Sequence, residues 1–440
     1  MKQLAGRILD LLASVTRFHR NPYFGFIQGH FYLGENDLRK IEKLVGSSDE
    51  TIVSEFERRF AGLVGPGEAI SYAAARMGFF ELMRILGIGK GDEVILQGAT
   101  CSVMVNAVLR IGATPVFADI DANTYGSSST AISACLTPHT RMIVAQHSFG
   151  IPCNIEPIIE IARERRIFLL EDCALTLGST IKGITVGNFG DAALFSTDHS
   201  KPLNTLTGGL IYTKNSHLAR SLRGAKVKIP DLPKDRQVAL WNRFLFERKY
   251  CNPGRYGRLE FVERVARLVR NWSNKVGDFL IDDYGVEIKS RYPYPAALPA
   301  FLAEIGLAEI NRWPKTSNDR RMLLLKLREV FSRHNLSECF LGAYEDRNVE
   351  IVPLRFVWFG ENGPDLRRAI GKFLDVKWTW FLRPIVATNE PLVNFGYCYG
   401  SCPTAEKAGI NVINLPCNFN SSETQKLLSL LDMTLCQKAV

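Results

Sequence analysis

The strongest constraint on the fold is an alternation of strand-like and helix-like segments between about residues 50 and 215. Segments with helical periodicity cover residues 51–64, 74–86, 101–111 and 155–165. Short apolar runs typical of strands cover residues 93–97, 115–119, 142–147, 167–172, 192–196 and 210–214. Strands that are separated by helices of this length need crossover connections. The alternation therefore predicts an α/β fold with a largely parallel sheet and helices on both of its faces.

The pattern changes after residue 214, where the regular alternation ends. A basic and aromatic-rich segment spans about residues 224–290, and helical periodicity returns over residues 298–312 and 317–332. The last hundred residues have the pattern of a smaller α/β unit that ends in a helix near residues 422–431. We therefore predict an N-terminal arm (1–35), a large domain that carries the basic insertion (36–297) and a small C-terminal domain (298–440).

Composition excludes several other classes of protein. Hydrophobic residues make up 46% of the chain and charged residues 22%, which is typical of a folded globular protein and not of a disordered one. No apolar run approaches the ~20 residues that a transmembrane helix needs. The ten cysteines are scattered, without a CxxC pair or a histidine at metal spacing, so we expect neither a disulfide framework nor a metal site. Reduced cysteines favour a cytoplasmic location.

The formal charge of +9 is concentrated in one segment. Residues 220–275 contain 15 Lys or Arg and 5 Asp or Glu, so the rest of the chain is nearly neutral. A nucleic-acid-binding protein with a uniformly basic surface would not have this distribution, and we expect no nucleic-acid partner. For the basic segment itself we favour a solvated helix face first. The second interpretation is that the segment attracts an anionic substrate to the site, and the third is that it contacts an anionic membrane surface.

Two chemically reactive side chains follow neighbouring strands of the predicted sheet. The apolar run at residues 167–170 is followed by Glu171 and Asp172, and the strand at residues 192–195 is followed by Ser196 and then Lys201. Ligands of open parallel sheets bind beyond the carboxyl ends of the strands. We therefore expect Asp172 and Lys201 to lie at the same edge. Taken alone, such a pair is more often a structural salt bridge than a reactive site.

The motifs around this pair resemble those of the DegT/DnrJ/EryC1/StrS sugar aminotransferases, which use pyridoxal phosphate. The resemblance rests on the order and spacing of several motifs across most of the chain. They are Ser196-x4-Lys201, Thr207-Gly208-Gly209, Glu171-Asp172-Cys173-Ala174, Gly190-Asp191, His147-x2-Gly150 and Cys402-Pro403-x-Ala405-Glu406. The resemblance implies the fold type I (aspartate-aminotransferase-like) architecture, with a mostly parallel central sheet in a large domain, a smaller C-terminal α/β domain and a homodimer.

The resemblance also implies roles for individual residues. Lys201 is the lysine that forms a Schiff base with the cofactor, and Asp172 keeps the pyridine nitrogen protonated. Ser196 contacts the cofactor phosphate. The helix that starts near residue 74 brings Ala75 and Arg76 to the same phosphate. The implied activity is transfer of an amino group from glutamate or glutamine to a keto-sugar, expected to be nucleotide-linked, in cell-surface polysaccharide or secondary-metabolite sugar biosynthesis.

The sequence departs from the family pattern around the expected cofactor. Ala74-Ala75-Arg76 stands in place of the usual Ser-Gly-Thr, and we favour the Arg76 guanidinium as the replacement phosphate ligand over an exposed arginine. Cys101 stands where an aromatic residue usually stacks on the cofactor. His147 is a candidate to replace it, and a buried structural histidine is an equal alternative. Leu175 stands where Gln is common.

Two further departures lie in other motifs. The residues before the double glycine are Leu206-Thr207 in place of the usual Gly-Glu. The stretch at residues 290–295 has no match to the Asn-x-Arg turn that reaches the neighbouring subunit's phosphate in the family. A homodimer is still expected, but the contribution of the partner to the cofactor site is open.

Two alternatives to an aminotransferase remain. Pyridoxal-phosphate-dependent sugar dehydratases resemble this chain but carry His at the lysine position, and this chain has Lys201. A non-catalytic scaffold or regulatory protein that kept the fold would explain the altered cofactor shell. The presence of both Lys201 and Asp172 favours an enzyme over the scaffold.

Overall fold

The computed structural model describes residues 15–270, 284–286, 292–376 and 380–437. The α-helices are α1 (Glu35–Lys43), α2 (Glu50–Val64), α3 (Ala75–Ile85), α4 (Ser102–Arg110), α5 (Ser129–Cys135), α6 (Glu156–Arg165), α7 (Ser216–Lys226), α8 (Lys234–Tyr250), α9 (Tyr256–Arg270), α10 (Ala300–Arg333), α11 (Gly363–Ile370), α12 (Pro403–Asn411) and α13 (Ser421–Cys436). The strands are β1 (Glu68–Tyr72), β2 (Glu93–Gln97), β3 (Thr114–Ala118), β4 (Thr140–Gln146), β5 (Phe168–Asp172), β6 (Thr180–Ile181), β7 (Ile184–Thr185), β8 (Ala192–Ser196), β9 (Gly209–Thr213), β10 (Val349–Glu350), β11 (Arg355–Phe359) and β12 (Val412–Pro416). Short 3-10 helices cover Ser337–Cys339, Gly342–Tyr344 and Leu392–Phe395.

A seven-stranded sheet in the order β1-β9-β8-β5-β4-β2-β3 forms the centre of the molecule. The pairs β3–β2, β2–β4, β4–β5 and β5–β8 are parallel, and β9 runs antiparallel to both of its neighbours. Ile143, Leu170 and Leu194 are fully buried because helices cover both faces of the sheet. The predicted mostly parallel α/β fold is confirmed.

Most of the predicted helices and strands are present with shifts of one or two residues at their ends. Helix α2 begins after Asp49, whose carboxylate accepts hydrogen bonds from the backbone N–H groups of Thr51 and Ile52 and so caps the helix. Strand β1 was not predicted from the sequence. It forms the edge of the sheet by pairing antiparallel with β9.

The two helices predicted at residues 298–312 and 317–332 are one helix, and that prediction was wrong. Helix α10 continues through Pro314, which has no N–H to donate to the carbonyl one turn earlier. Nearby hydroxyl groups bond to the backbone of this turn: Thr316 donates to the Arg312 carbonyl and Ser317 to the Pro314 carbonyl, each over 3.1 Å. Burial of one face of the helix stabilises the continuous form.

Helix α10 packs closely against α2 of the large sheet unit. A Cβ atom at Gly306 would overlap the ring of Phe56, so this crossing requires glycine. Downstream of α10, β11 and β12 form a separate antiparallel pair; α11 contacts β12, and α13 packs against α10 and α11. The N-terminal segment reaches this part too, since Phe24 exchanges backbone hydrogen bonds with Phe373 and Asp375. The domain boundaries 35/36 and 297/298 stay predictions.

The basic segment at residues 220–275 folds into α7, α8 and α9. Its residues 271–275 lie outside the described part of the chain. Several of its cations bind carboxylates of the fold. Arg223 and Lys226 both pair with Glu57, and Arg243 pairs with Glu247 and Glu263. Ion pairs within the fold therefore neutralise part of the positive charge of α7 and α8.

No helix in the described residues is long and apolar enough to cross a bilayer.

Candidate active site

The carboxyl ends of β4, β5 and β8 meet at one edge of the sheet. His147 follows β4 directly, Asp172 is the last residue of β5, and Ser196 is the last residue of β8. The parallel register places Asp172 beside Gln146 on one side and Leu194 on the other. Parallel strands thus bring polar residues that are far apart in the sequence to the same edge, as the sequence analysis predicts.

Lys201 lies on the loop that joins β8 to β9. This loop is held by backbone hydrogen bonds from Thr197 to Gly208 and from His199 to Leu206, at 3.0 and 3.1 Å. The backbone N–H of Lys201 donates to the Asp198 carbonyl over 3.0 Å. Its Nζ lies 5.1 Å from the ring centroid of Trp380, within the range of a cation–π contact. The loop therefore holds the lysine backbone firmly while the amine faces an aromatic surface.

The Asp172 side chain is 4% exposed, and its Oδ1 accepts a hydrogen bond from the Ala174 N–H over 2.9 Å. Burial raises the pKa of this carboxyl group. The hydrogen bond from Ala174 and the charges of Lys201 and His147 act in the opposite direction but do not cancel the effect of burial. The charge of Lys201 thus acts on the Asp172 carboxyl group at the edge where the sequence predicts both residues.

His147 and Glu171 form a buried pair next to Asp172. His147 is fully buried, its Nε2 lies 3.1 Å from the Glu171 carboxylate, and its Nδ1 accepts from the Cys153 N–H over 3.0 Å. Both ring nitrogens therefore have protein partners. Glu171 also accepts from the backbone N–H groups of a tight turn at residues 187–190. This geometry favours the structural alternative for His147, and a contact with the cofactor ring stays an untested prediction.

The start of helix α3 lies close to the lysine loop. Its N-cap residue is Ala74, which has no side-chain group to cap the first N–H groups, and Ala75 is the first helical residue. A Cβ atom at Gly209 would overlap Ala75, and Thr207 donates to the Ala73 carbonyl over 2.9 Å. The departure from the family pattern at Thr207 thus provides a hydrogen bond that ties the loop to the helix start.

Cys101 precedes helix α4 and is half-buried. Burial raises the pKa of its thiol, although the positive charges of Lys201 and Arg76 act to lower it. Since Arg76 is also mostly buried, at 8% exposure, it is not the exposed arginine of the alternative interpretation. The positive charges of Arg76 and Lys201 therefore both act on the Cys101 thiol. Whether Arg76 binds a phosphate stays a prediction.

Sequence reasoning missed the residues that the C-terminal part adds to this edge. Trp380 covers the Lys201 amine, and Arg355 lies 6.0 Å from the centroid of the same ring. The backbone of Val386 exchanges hydrogen bonds with Thr100 and Ser102 on either side of Cys101, at 2.9 and 3.0 Å. The aromatic-rich stretch around Trp380 was the one available signal, but nothing in the sequence links it to Lys201.

The donor set at this edge fits pyridoxal phosphate. Lys201 would provide an amine for the aldehyde, and Asp172 would provide a buried carboxylate for the ring nitrogen. The uncapped start of α3, the Arg76 guanidinium and the Ser196 hydroxyl would provide donors for a dianionic phosphate.

Comparison with known proteins places this architecture in a family. The sequence model of the DegT/DnrJ/EryC1/StrS aminotransferase family matches residues 35–239. This part of the chain, just under half of it, is similar to that family. The match covers the large sheet from α1 to the start of α8 and includes Asp172 and Lys201.

Curated relatives match less than half of the chain. The spore coat polysaccharide biosynthesis protein SpsC of Bacillus subtilis is 34% identical over 215 residues, which is 48% of this chain and 54% of that protein. The UDP-N-acetyl-3-dehydro-alpha-D-glucosamine 3-aminotransferase of Acidithiobacillus ferrooxidans is 37% identical over 171 residues, or 39% of this chain and 46% of that protein. The chain thus spans about half the length of the curated relatives it matches.

Solved structures resemble the whole chain. An aminotransferase from Psychrobacter cryohalolentis gives a TM-score of 0.68 at 18% identity and covers 92% of this chain and 98% of its own. The structure of DesI in the presence of its TDP-sugar product gives a TM-score of 0.68 at 19% identity and covers 96% of this chain and 95% of its own. At this identity the likeness establishes the fold, including the C-terminal part that the family model does not reach.

Proposed function

We propose that the protein is a pyridoxal-phosphate-dependent aminotransferase that transfers an amino group from an amino acid to a nucleotide-linked keto-sugar. The observation that carries this proposal is the arrangement of Asp172 and Lys201 at adjacent strand ends, within a segment of the aminotransferase family. The names of the relatives support the substrate class, since one is a UDP-sugar 3-aminotransferase and another a GDP-perosamine synthase. A homodimer and a cytoplasmic location are part of the same proposal.

The proposal assigns a task to each residue of the site. Lys201 would hold the cofactor covalently, Asp172 would face its ring nitrogen, and Arg76, Ser196 and the start of α3 would hold its phosphate. When bound, the cofactor supplies an electron sink for the bond that breaks at the donor carbon. Once the amino donor has displaced it from the cofactor, the Nζ atom of Lys201 would be the base that takes the proton from this carbon and passes it to the cofactor, because it is the amine at the centre of the site.

The electrostatics of the site suit these tasks. Burial raises the pKa of Asp172, so the carboxylate needs nearby positive charge to stay ionised, and Lys201 provides part of that charge. A protonated nitrogen in the cofactor ring would add further positive charge beside Asp172. The Trp380 ring and the C-terminal part cover the amine, which helps to exclude water from it.

The test is a half-reaction without the sugar. Purified protein is loaded with pyridoxal phosphate and mixed with L-glutamate, and the absorbance of the bound cofactor is followed. We expect conversion from the lysine-bound form to the amine form in the wild type. The Lys201→Ala variant serves as the control and should not form the lysine-bound species. Bound cofactor that reacts with no amino acid would instead support the scaffold alternative.

A further inference from the structure

The indole of Trp380 has a hydrogen-bond donor that the protein leaves unused. Its ring is half-buried, packs against the core and lies 5.1 Å by its centroid from Nζ of Lys201. The Nε1 atom is buried and has no hydrogen-bond partner among residues 15–270, 284–286, 292–376 and 380–437. An indole N–H can only donate, and a buried one nearly always has an acceptor. This unpaired donor beside the reactive amine therefore marks a place for an acceptor atom of a ligand.

A buried amide fixes the backbone of Trp380. Asn414 lies in β12 and is 2% exposed. Its amide nitrogen donates to the Trp380 carbonyl over 3.1 Å, and its Oδ1 accepts from the Trp380 N–H at 3.4 Å. The same oxygen accepts from the buried guanidinium of Arg355 over 2.8 Å, which fixes the amide in turn. The position of the indole is thus set before any ligand binds.

The chain after Trp380 is anchored to the large sheet unit. Phe381 is buried, and its ring packs edge-on against Phe149 with centroids 4.9 Å apart. The N–H of Ile385 donates to the Gly98 carbonyl over 3.0 Å, next to the hydrogen bonds of Val386 described above. Trp380 therefore lies between two anchors, one in the C-terminal part and one in the large sheet unit. These anchors hold its ring at the edge where Lys201 lies.

The large sheet unit has no equivalent of this side chain at two positions where the sequence departs from the family pattern. Cys101, on which the charge of Lys201 acts, has a thiol, which is a weak donor and has no aromatic surface. Leu175 is 4% exposed and has neither a donor nor an aromatic ring. Trp380 combines an aromatic surface and a hydrogen-bond donor in one side chain.

We propose that Trp380 is a ligand of the cofactor, with its indole N–H donating to the phenolic oxygen of pyridoxal phosphate and its ring covering the carbon that binds Lys201. This inference rests on the proposed aminotransferase function. The phenolic oxygen is attached to the ring carbon next to the one that carries the aldehyde. Because the aldehyde carbon binds Nζ of Lys201, this oxygen must lie close to Nζ and hence to the indole. A donor there stabilises negative charge on the oxygen.

The test is a pH titration of the loaded protein in the absence of any substrate, followed by the absorbance of the lysine-bound cofactor. The change Trp380→Phe keeps an aromatic ring and removes the N–H. Negative charge on the phenolic oxygen holds a proton on the neighbouring nitrogen, and a donor to the oxygen weakens that hold. We therefore expect the midpoint of the absorbance change in Trp380→Phe to be higher by about 1 pH unit.

Two more variants separate the ring from the N–H. Trp380→Leu removes both, so it should shift the midpoint in the same direction and also weaken cofactor binding by roughly tenfold. The matched control is Trp358→Phe in the same C-terminal part. It removes an indole N–H that already donates to the Leu336 carbonyl over 3.0 Å, and its midpoint should equal that of the wild type.

Each outcome decides the assignment. A midpoint in Trp380→Phe equal to that of the wild type would overturn it, because a ring without an N–H would then be sufficient. An unchanged midpoint with weaker binding of UDP would assign Trp380 to the nucleotide and also overturn it. If Trp380→Leu does not fold, Trp380→Phe and its control still decide. A shifted midpoint in a protein whose cofactor never reacts with glutamate would keep Trp380 as a cofactor ligand and refute the proposed aminotransfer.

Discussion

A buried ion pair between the basic helix α8 and the lysine loop provides a sharp prediction. The Glu247 carboxylate is fully buried and lies 2.9 Å from Nδ1 of His199, two residues before Lys201. The same oxygen accepts from Arg243 over 2.6 Å. The change Glu247→Gln keeps the shape of the side chain and removes its charge. We expect it to destabilise the fold and to weaken cofactor binding, because it loosens the support of the Lys201 loop.

The magnitude follows from the pKa of Glu247. Burial alone would raise this pKa, but His199 and Arg243 lower it from 4.5 to about 2. One pKa unit corresponds to about 1.4 kcal/mol, so the ionised carboxylate stabilises the folded state by about 3 kcal/mol. This contribution is complete above pH 4.5 and is lost as the pH falls toward 2.

The pKa of His199 sets the upper limit of the pH range. Burial would lower it, but the carboxylates of Asp198 and Glu247 raise it above the ordinary 6.5. The stabilisation by charged His199 is therefore complete below pH 6.5 and is lost as the pH rises through the raised value. The cost of Glu247→Gln should be greatest between pH 4.5 and 6.5 and smaller on either side.

Urea unfolding, followed by tryptophan fluorescence at several pH values, measures this cost. Glu263→Gln is the matched control, because Glu263 binds the same Arg243 over 2.6 Å but is 22% exposed. It should cost less than about 1 kcal/mol. A cost for Glu247→Gln that is below 1 kcal/mol, or that does not change with pH, would refute the reasoning.

Three further predictions concern packing, the cofactor phosphate and assembly. Gly306→Ala should destabilise the fold by about 1–3 kcal/mol, since its Cβ would overlap Phe56. Gly62→Ala, in helix α2 with open space around it, should instead stabilise by about 0.5–1 kcal/mol, and thermal unfolding compares the two. Arg76→Ala should weaken pyridoxal phosphate binding by roughly ten- to a hundredfold in a fluorescence titration, and an unchanged affinity would remove Arg76 from the phosphate site. Sedimentation should show a homodimer, and a monomer that binds the cofactor tightly would count against a shared site.

The proximity of Asp172 and Lys201 could be predicted from the sequence because Asp172 ends the buried strand β5 and Lys201 follows the neighbouring strand β8. Asp172 and Lys201 are separated by one helix-free stretch and one neighbouring strand, so the parallel order of the sheet decides their proximity. The short apolar runs predict that the two strands are neighbours, and the complete strand order is seen only in the structure. The helix start at Ala74-Ala75-Arg76 was expected from helical periodicity and from the resemblance to the family.

The remaining parts of the site depend on contacts that no local pattern encodes. Arg355 and Trp380 lie far from Lys201 in the sequence and reach it only through the packing of the C-terminal part. Pro314 predicts a break in α10 by its missing N–H, but burial of one face of the helix outweighs that loss. Both ring nitrogens of His147 likewise have hydrogen-bond partners, Glu171 and Cys153, and only the folded structure places these partners beside the ring.

Covalent labelling of Lys201 tests the central claim most directly. Protein loaded with pyridoxal phosphate is reduced with borohydride, digested and mapped by mass spectrometry, with Lys201→Ala treated in parallel. We predict that the wild type carries one reduced cofactor on the peptide that contains Lys201 and that the variant carries none there. A label on a different lysine, or a wild type that binds the cofactor without forming a reducible bond, would contradict the assignment of this site.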